Sequence, residues 1–312
     1  MSMRTLGIDT SNYTTSAAVF DGRDGYNAGR LLEVRPGELG LRQSDALFQH
    51  VKALPGRFQQ LEEGGWLTGI AAVGVSTRPR AVEGSYMPCF LAGESQGRTL
   101  AAALNVPFFA CSHQQGHIAA AAWSAGRLDL LDRPMLAWHL SGGTTELLHV
   151  EPEGVNVKAT LLGGTSDISA GQLIDRTGVL LGLPFPAGKA VDQLAQNGKN
   201  QKFSVKLNGF TFSISGMENK VKAMAEQGTE QADIARFALL TVADVVRRAT
   251  LAALKEYPGL PVLCSGGVAS NSLLRQMMEP LRAVFAQPRF STDNAMGTAI
   301  LTWRAVKAGE LT

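Results

Sequence analysis

The chain has 312 residues, enough for one large domain or two of roughly 150 residues each. Its 45% apolar content is sufficient for a sizeable core, and its 29 basic and 27 acidic residues leave a net charge of only +2. Overall charge therefore does not indicate a polyanion partner, and any RNA binding must be local. The short basic groups are Arg78 with Arg80, Lys199 with Lys202 and Lys206, and Arg247 with Arg248.

The cysteine pattern favours a reducing compartment. Cys89, Cys111 and Cys264 are odd in number and widely spaced, which argues against a disulfide framework and against a Cys-x-x-Cys metal site. No uncharged apolar run reaches the ~18–20 residues that a membrane-spanning helix needs. We therefore expect a cytoplasmic protein without a membrane partner.

Two predicted hairpins have the same order of elements: an apolar strand, a turn of small or polar residues, and a second apolar strand. Residues 5–10 and 15–20 are predicted strands on either side of a polar turn, and residues 135–140 and 146–150 flank Ser141-Gly142-Gly143-Thr144-Thr145. The repeat predicts a duplicated unit.

Strands and helices alternate around these hairpins, which predicts an α/β fold. The strand patterns cover residues 71–76, 106–111 and 261–264. The helix patterns cover residues 92–104, 117–125, 169–181, 188–196, 217–226, 232–256 and 271–278. The polar residues 126–134 are the predicted seam, so we predict an N-terminal lobe of residues 1–134 and a C-terminal lobe of residues 135–312.

Three turns of small residues are candidates for phosphate binding. They are Asp9-Thr10-Ser11, the turn that begins at Ser141, and Ser265-Gly266-Gly267. Glycine lets backbone N–H groups approach an anion, and hydroxyls add donors. One Gly-Gly alone is more often a plain turn, but three such turns at strand ends favour a nucleotide site. The aspartates near apolar or glycine-rich segments are Asp9, Asp167, Asp175, Asp192 and Asp293, and position alone identifies none of them as catalytic.

His113 and His117 are the candidate metal pair. Residues four apart lie on one helix face and can share an ion, although a packed or solvated pair is the commoner reason for this spacing. A zinc-protease site is excluded because Gln114 stands where the general base would be needed.

Together these segments resemble the TsaD/Kae-type tRNA N6-adenosine threonylcarbamoyltransferase family from about residue 6 to residue 300. The segments that carry the resemblance are LGIDTS, CSHQQGHIAA, LSGGTTELL, SAGQLIDRTGVLLGLPFPAGKAVDQLA, FTFSISGMENKV, GGVASNSLLR and STDNAMGTA.

The resemblance implies a two-lobed actin-like ATPase fold with duplicated RNase H-like subdomains and a central nucleotide cleft. It also implies one divalent metal ion, iron or zinc, held by His113, His117 and Asp293. The implied contacts to an adenine nucleotide or threonylcarbamoyl-adenylate are Ser141, Gly142, Gly143, Asp175, Gly188, Asp192 and Asn271.

The implied activity is an acyl transfer. A threonylcarbamoyl group moves from its adenylate to the N6 amine of an adenosine in the tRNA anticodon loop, and AMP is released. The implied partners are tRNA, bound transiently, a TsaB-like paralogue and a small ATPase.

Several family positions are changed, and most of the changes remove charge. The changed residues are Asn12 to Thr14 after the first motif, Gln115, Thr144, Gln172, Ile168, and Arg78-Pro79-Arg80 in place of Gly-Pro-Gly. Gln and Thr keep hydrogen bonding but cannot act as general bases near neutral pH. A divergent member or paralogue is therefore expected. Two alternatives stay open: a non-catalytic nucleotide-binding scaffold or regulator, and carbamoyl transfer to another acceptor.

Overall fold

The computed structural model describes residues 3–11, 13–34, 41–201 and 203–311, so Asn12 and Lys202 lie outside the described residues. Among the described residues, the strands are β1 (Arg4–Thr10), β2 (Thr14–Phe20), β3 (Gly25–Leu31), β4 (Ile70–Arg78), β5 (Phe108–Ser112), β6 (Met135–Leu140), β7 (Thr145–Glu153), β8 (Asn156–Thr165), β9 (Leu207–Asn208), β10 (Thr211–Phe212), β11 (Val262–Ser265) and β12 (Val284–Phe285). The α-helices are α1 (Gln43–Glu63), α2 (Phe90–Leu104), α3 (His113–Ser124), α4 (Ala170–Leu180), α5 (Gly188–Ala195), α6 (Ser215–Glu226), α7 (Gln231–Glu256), α8 (Ser272–Met278) and α9 (Met296–Ala308).

The chain divides into two compact units. The first comprises Met1–Asp132, Glu151–Ala159 and Asp293–Thr312, and the second comprises Arg133–Val150 and Thr160–Thr292. The predicted division into consecutive lobes differs from these units in two segments. The C-terminal segment belongs to the first unit because α9 packs on β1, β4 and α3.

The first unit is built on a five-stranded sheet in the order β3-β2-β1-β4-β5. β1 to β3 are antiparallel neighbours, whereas β4 and β5 run parallel to β1. α9 lies directly on this sheet, and an added Cβ at Gly74 would stand 1.7 Å from the Thr302 hydroxyl. Glycine in the strand therefore allows the close approach of the helix.

The second unit contains a seven-stranded sheet in the order β12-β11-β6-β7-β8-β10-β9. Its run β8-β7-β6-β11-β12 repeats the order of the first sheet, with β6 antiparallel to β7 and parallel to β11. The core includes fully buried Trp138, whose indole N–H donates to Thr250 at 2.8 Å. The predicted duplication is therefore present in the strand order.

Most predicted elements are confirmed within a few residues, but the helices α1 and α9 and the strands β3, β8, β9, β10 and β12 were not predicted. α1 is a polar helix whose buried side chains form one narrow stripe, namely Ala46, His50, Leu54 and Leu61. α9 is buried on most sides, so it lacks the alternation of apolar and polar residues that marks an amphipathic helix.

The three cysteines are buried and free, and burial raises the pKa of Cys111 and Cys264 to about 12. These thiols are packing residues rather than nucleophiles. In the described part of the chain, we find no helix with the length and apolar character needed to cross a membrane.

Candidate functional site

Three parallel strands of the first unit end at one edge of the sheet. β1, β4 and β5 run in the same direction, so their carboxyl ends meet at this edge, where α/β proteins commonly bind ligands. The residues delivered there are Asp9 at the end of β1, Ser76 near the end of β4, and Ser112 at the end of β5.

Helix α3 begins directly after β5 and presents the two histidines. The Ser112 side chain accepts from the Gln115 N–H, and the Gln115 side chain accepts from the Ser112 N–H, which forms a capping box. The helix therefore begins at His113, four residues earlier than predicted. His113 and His117 lie one turn apart with ring centroids 4.3 Å apart.

Asp293 reaches this site because α9 packs against α3. An added Cβ at Gly297 would stand 1.7 Å from the carbonyl oxygen of Gly116, the residue that lies between the two histidines. Only glycine permits this approach of backbone to backbone. Asp293 lies just before α9 and is thus carried to His117 across 176 residues of sequence.

The three side chains form a compact cluster with their ligand atoms facing one another. His117 Nε2 is 2.9 Å from His113 Nε2 and 3.2 Å from Asp293 Oδ1, and His113 Nε2 is 3.5 Å from the same oxygen. Metal bonds of about 2.0–2.2 Å separate neighbouring ligand atoms by about 3–3.5 Å. The cluster therefore fits one ion, and two imidazoles with one carboxylate suit zinc or iron.

Asp9 stands behind this cluster and orients His113. The carboxylate is 1% exposed, and its Oδ2 is 2.7 Å from His113 Nδ1 and accepts from the Ser76 hydroxyl at 2.6 Å. Its Oδ1 accepts from the Ser11 N–H at 3.1 Å. Because Asp9 accepts the hydrogen bond of His113 Nδ1–H, Nε2 is the ring nitrogen that faces Asp293 and His117 and is available to a metal ion.

The electrostatics of the cluster favour the ionised forms of His113 and Asp293. Burial lowers the pKa of His113, but the charge of Asp9 and the hydrogen bonds that His113 donates to Asp293 and Asp9 outweigh it and raise the pKa to about 10. Burial raises the pKa of Asp293, yet hydrogen bonds from His113 and His117 hold it well below its usual value. A bound cation would take the place of the proton on His113.

The predicted nucleotide residues all lie in the second unit. Ser141, Gly142 and Gly143 follow β6 at the same sheet edge as the Gly266 turn after β11. This loop contacts the start of α4, because the Ser169 hydroxyl donates to the Gly142 carbonyl at 2.5 Å.

The other four predicted nucleotide residues lie at contacts between neighbouring segments of the second unit; they are Asp175, Gly188, Asp192 and Asn271. Asp175 accepts from the Ala187 N–H at 2.8 Å, immediately before Gly188 at the start of α5. Asp192, one turn later, accepts from the Ser272 N–H at 3.0 Å, next to Asn271. Each carboxylate thus uses Oδ1 to hold a neighbouring segment.

Two observations fit a ligand at this surface. Added Cβ atoms at Gly142, Gly143 and Gly188 would meet nothing within 4 Å, so neither packing nor a left-handed backbone requires glycine there. Asn271 is 5% exposed, and while its Oδ1 caps α8, its buried Nδ2 has no hydrogen-bond partner in the described structure. A buried donor without a partner is costly unless a ligand or water accepts from it.

Two of the changed family positions have structural roles. Gln115 and Gln172 each occupy the third position of a capping box, and either Gln or Glu can accept the backbone N–H there. The Gln115 amide also donates to the Val157 carbonyl at 2.8 Å, which an ionised Glu cannot do. Loss of charge at these positions therefore does not remove a metal ligand.

Sequence reasoning does not predict the roles of Asp9, Ser76 and Ser112. Asp9 is only one of five aspartates of interest, and the two serines carry no signal of their own. Asp9 and Ser76 lie at the carboxyl ends of predicted strands, and Ser112 directly follows the predicted end of another. This shared position is the signal that could have found them.

Comparison with known proteins places the chain in a family. The family model for tRNA N6-adenosine threonylcarbamoyltransferase (TsaD) matches residues 51–300. Enzymes of that name from two strains of Thermus thermophilus are each 34% identical to this chain; one alignment covers 98% of this chain and 94% of the relative, the other 97% and 92%.

Similar solved structures define the fold. Component A of (R)-2-hydroxyglutaryl-CoA dehydratase from Acidaminococcus fermentans has a TM-score of 0.55 at 17% identity, covering 99% of this chain and all of that one. Full-length HypF has a TM-score of 0.62 at 13% identity, covering 97% and 56%. A ROK-family glucokinase from Streptomyces griseus has a TM-score of 0.51 at 14% identity, covering 96% and 99%.

The predicted actin-like ATPase fold is confirmed by these structures, which at such low identity inform on fold alone. The family match rests on sequence: the family model covers residues 51–300, and the alignments with the two relatives cover 98% and 97% of this chain. The chain belongs to the tRNA N6-adenosine threonylcarbamoyltransferase family.

Proposed function

We propose that this protein transfers a threonylcarbamoyl group from threonylcarbamoyl-adenylate to the N6 amine of an adenosine in the tRNA anticodon loop. The observation that carries the proposal is the cluster of His113, His117 and Asp293, with Asp9 oriented behind it, in a chain of this family. The relatives bear the name of this activity.

His113, His117 and Asp293 would hold iron or zinc. When bound, such an ion supplies Lewis acidity that polarises a carbonyl group. Asp9 keeps the His113 ring in the tautomer whose Nε2 faces the ligand position, and Ser76 holds Asp9 in place. Asp293 is 27% exposed and His113 is 19% exposed, so substrate can reach this side of the cluster from solvent.

The second unit would hold the adenylate. Gly142, Gly143 and Gly188 leave room for phosphate and sugar, the free carboxylate oxygens of Asp175 and Asp192 can accept from ribose hydroxyls, and Asn271 Nδ2 can donate. In the transfer, the N6 nitrogen attacks the carbamoyl carbon and loses a proton, while the carbon–oxygen bond to phosphate breaks. AMP departs with the bonding electrons. Because adenine N6 is a weak nucleophile, positioning supplies much of the rate.

The partners follow from the family resemblance. We propose transient binding of tRNA, association with a TsaB-like paralogue and with a small ATPase, and a cytoplasmic location. The free buried cysteines are compatible with a reducing compartment. Co-purification of the chain with a separately expressed paralogue tests the association, and separate elution on size exclusion at micromolar concentration contradicts it.

A reconstituted transfer assay tests the activity. Metal-loaded protein, partners, threonylcarbamoyl-adenylate and unmodified tRNA are incubated, and tRNA nucleosides are measured by mass spectrometry. We expect modified adenosine with wild type and with the control His149→Ala, whose ring stacks on Tyr257 in the second unit, and none with His113→Ala. Nucleotide binding without turnover supports the scaffold alternative, and turnover of the adenylate without tRNA supports another acceptor.

A further inference from the structure

The loop that joins β4 to α2 is attached at both ends to the helix that carries the histidines. We define residues 79–89 as the rim loop. At its start, the Pro79 carbonyl accepts from the Gln114 N–H at 3.0 Å. Directly after the loop, Phe90, the first residue of α2, packs against His113 with ring centroids 6.1 Å apart. The rim loop therefore borders the cluster of His113, His117 and Asp293, called the metal cluster below.

Two arginines stand where this loop leaves the sheet. Arg78 is the register partner of Ser112, the residue before His113, so the two backbones lie one strand spacing apart, about 4.8 Å. Arg80 follows one residue after Pro79, and both arginine side chains are exposed. Both charges thus extend from backbone that adjoins the first turn of α3.

The rim loop also carries an exposed aromatic residue, which bears on the kind of anion that the arginines could bind. Tyr86 is 62% exposed, and Glu83 adds a single exposed negative charge. The Arg80 N–H donates to the hydroxyl of Ser85, the residue before Tyr86, at 3.0 Å, so the backbone of Tyr86 lies near that of Arg80. Exposed arginines and an exposed aromatic ring in one loop are suited to a single-stranded nucleic acid, whose phosphates bind the guanidinium groups while an unpaired base stacks on the ring.

We propose that Arg78 and Arg80 bind backbone phosphates of the RNA substrate next to the metal cluster, with Tyr86 as a stacking platform for an unpaired base. The inference rests on the proposed function, because it assigns the RNA contact of that site. The arginines act as positioning residues: they hold the RNA backbone so that the acceptor base can reach the cluster.

The test is the salt dependence of RNA binding by the metal-loaded full-length chain. Binding of a fluorescent anticodon stem-loop RNA is measured from about 50 to 300 mM KCl, the range over which phosphate contacts are most salt-sensitive. The proteins compared are wild type, Arg78→Gln/Arg80→Gln and the control Arg23→Gln. Arg23 is an exposed arginine in the turn between β2 and β3, at the opposite edge of the same sheet. Metal content and unfolding midpoint are measured for every variant.

Loss of two phosphate contacts lowers affinity about tenfold near 0.1 M salt and reduces the slope of log affinity against log salt by roughly 1.5–2. We expect this change in the double arginine variant, an unchanged slope in Arg23→Gln, and lower affinity at an unchanged slope in Tyr86→Ala. AMP affinity should stay at the wild-type value.

A wild-type slope in Arg78→Gln/Arg80→Gln overturns the inference, and so does a loss of AMP affinity equal to the loss of RNA affinity, which would assign the arginines to the small nucleotide. If wild type modifies tRNA while the double variant binds RNA unchanged, only this inference fails. If wild type neither binds nor modifies tRNA, the proposed function fails as well.

Discussion

Replacing Asp9 by asparagine removes one charge from behind the metal cluster while keeping the shape of the side chain. Asp9 now accepts on both oxygens, from His113 Nδ1 and Ser76 at Oδ2 and from the Ser11 N–H at Oδ1. An amide has one accepting oxygen and one donating nitrogen. In either orientation of the substituted amide, one N–H group therefore faces another donor.

The more damaging orientation directs the amide N–H₂ at His113 Nδ1. The ring then accepts at Nδ1 and carries its proton on Nε2, which removes a metal ligand. Loss of such a carboxylate–histidine contact typically lowers metal affinity about 10- to 100-fold, or about 1.4–2.8 kcal/mol. We expect Asp9→Asn to fall within this range, although the residue contacts no metal itself.

The assay is a calorimetric titration of metal-free protein with zinc, paired with Co²⁺ absorption spectra that report the ligand set. Asp24→Asn is the matched control, because Asp24 is an exposed aspartate in the turn between β2 and β3. Unfolding of the metal-free proteins in denaturant separates weaker metal binding from loss of the fold. Affinity of Asp9→Asn within twofold of wild type would refute the role of Asp9 in orienting His113.

Three further predictions use other parts of the molecule. Gly188→Ala should leave the unfolding midpoint unchanged or higher, because the added methyl group meets no protein atom within 4 Å. The same methyl group would occupy the proposed ligand space, so adenine-nucleotide affinity should fall by about tenfold. Unchanged affinity in equilibrium dialysis contradicts this prediction. Gly297→Ala should destabilise the protein by about 1–3 kcal/mol or more and weaken metal binding, because the added Cβ overlaps the Gly116 carbonyl oxygen. In the control Gly56→Ala the added Cβ in α1 meets no atom within 4 Å, so this change should stabilise the protein by about 0.5–1 kcal/mol. Denaturant titration measures the stability of both variants, and metal analysis measures the bound ion. Metal binding at pH 7–8 should release about one proton, because the pKa of His113 is raised to about 10 in the metal-free protein, and affinity should rise with pH over this range; a calorimetric enthalpy independent of buffer ionisation would disprove it.

Local sequence patterns predict only part of the candidate site. His113 and His117 could be paired from their spacing because a helix places such residues on one face. Asp293 could not be joined to them by any spacing rule, and only the family resemblance supplied it. Its position depends on the contact of Gly297 with Gly116, a packing detail that neither segment shows by itself.

The fold was predictable where side-chain periodicity is strong. The strand that carries Asp9 and the strand that precedes Ser141 were predicted because each is a short apolar run that ends at a turn of small residues. α1 was not predicted because it is largely polar and its buried stripe is narrow, and α9 was not predicted because it is buried on most sides. The sharing of Asp293–Thr312 with the first unit likewise depends on tertiary packing rather than on sequence order.

The most direct test of the central claim is the metal content of the purified protein, measured by mass spectrometry after expression in metal-replete medium. Wild type is expected to carry close to one iron or zinc per chain, and His113→Ala, His117→Ala and Asp293→Ala are each expected to lose it while keeping the wild-type circular dichroism spectrum. Wild-type protein that stays metal-free and still transfers the threonylcarbamoyl group, or variants that keep the ion, would contradict a metal site built from these three side chains.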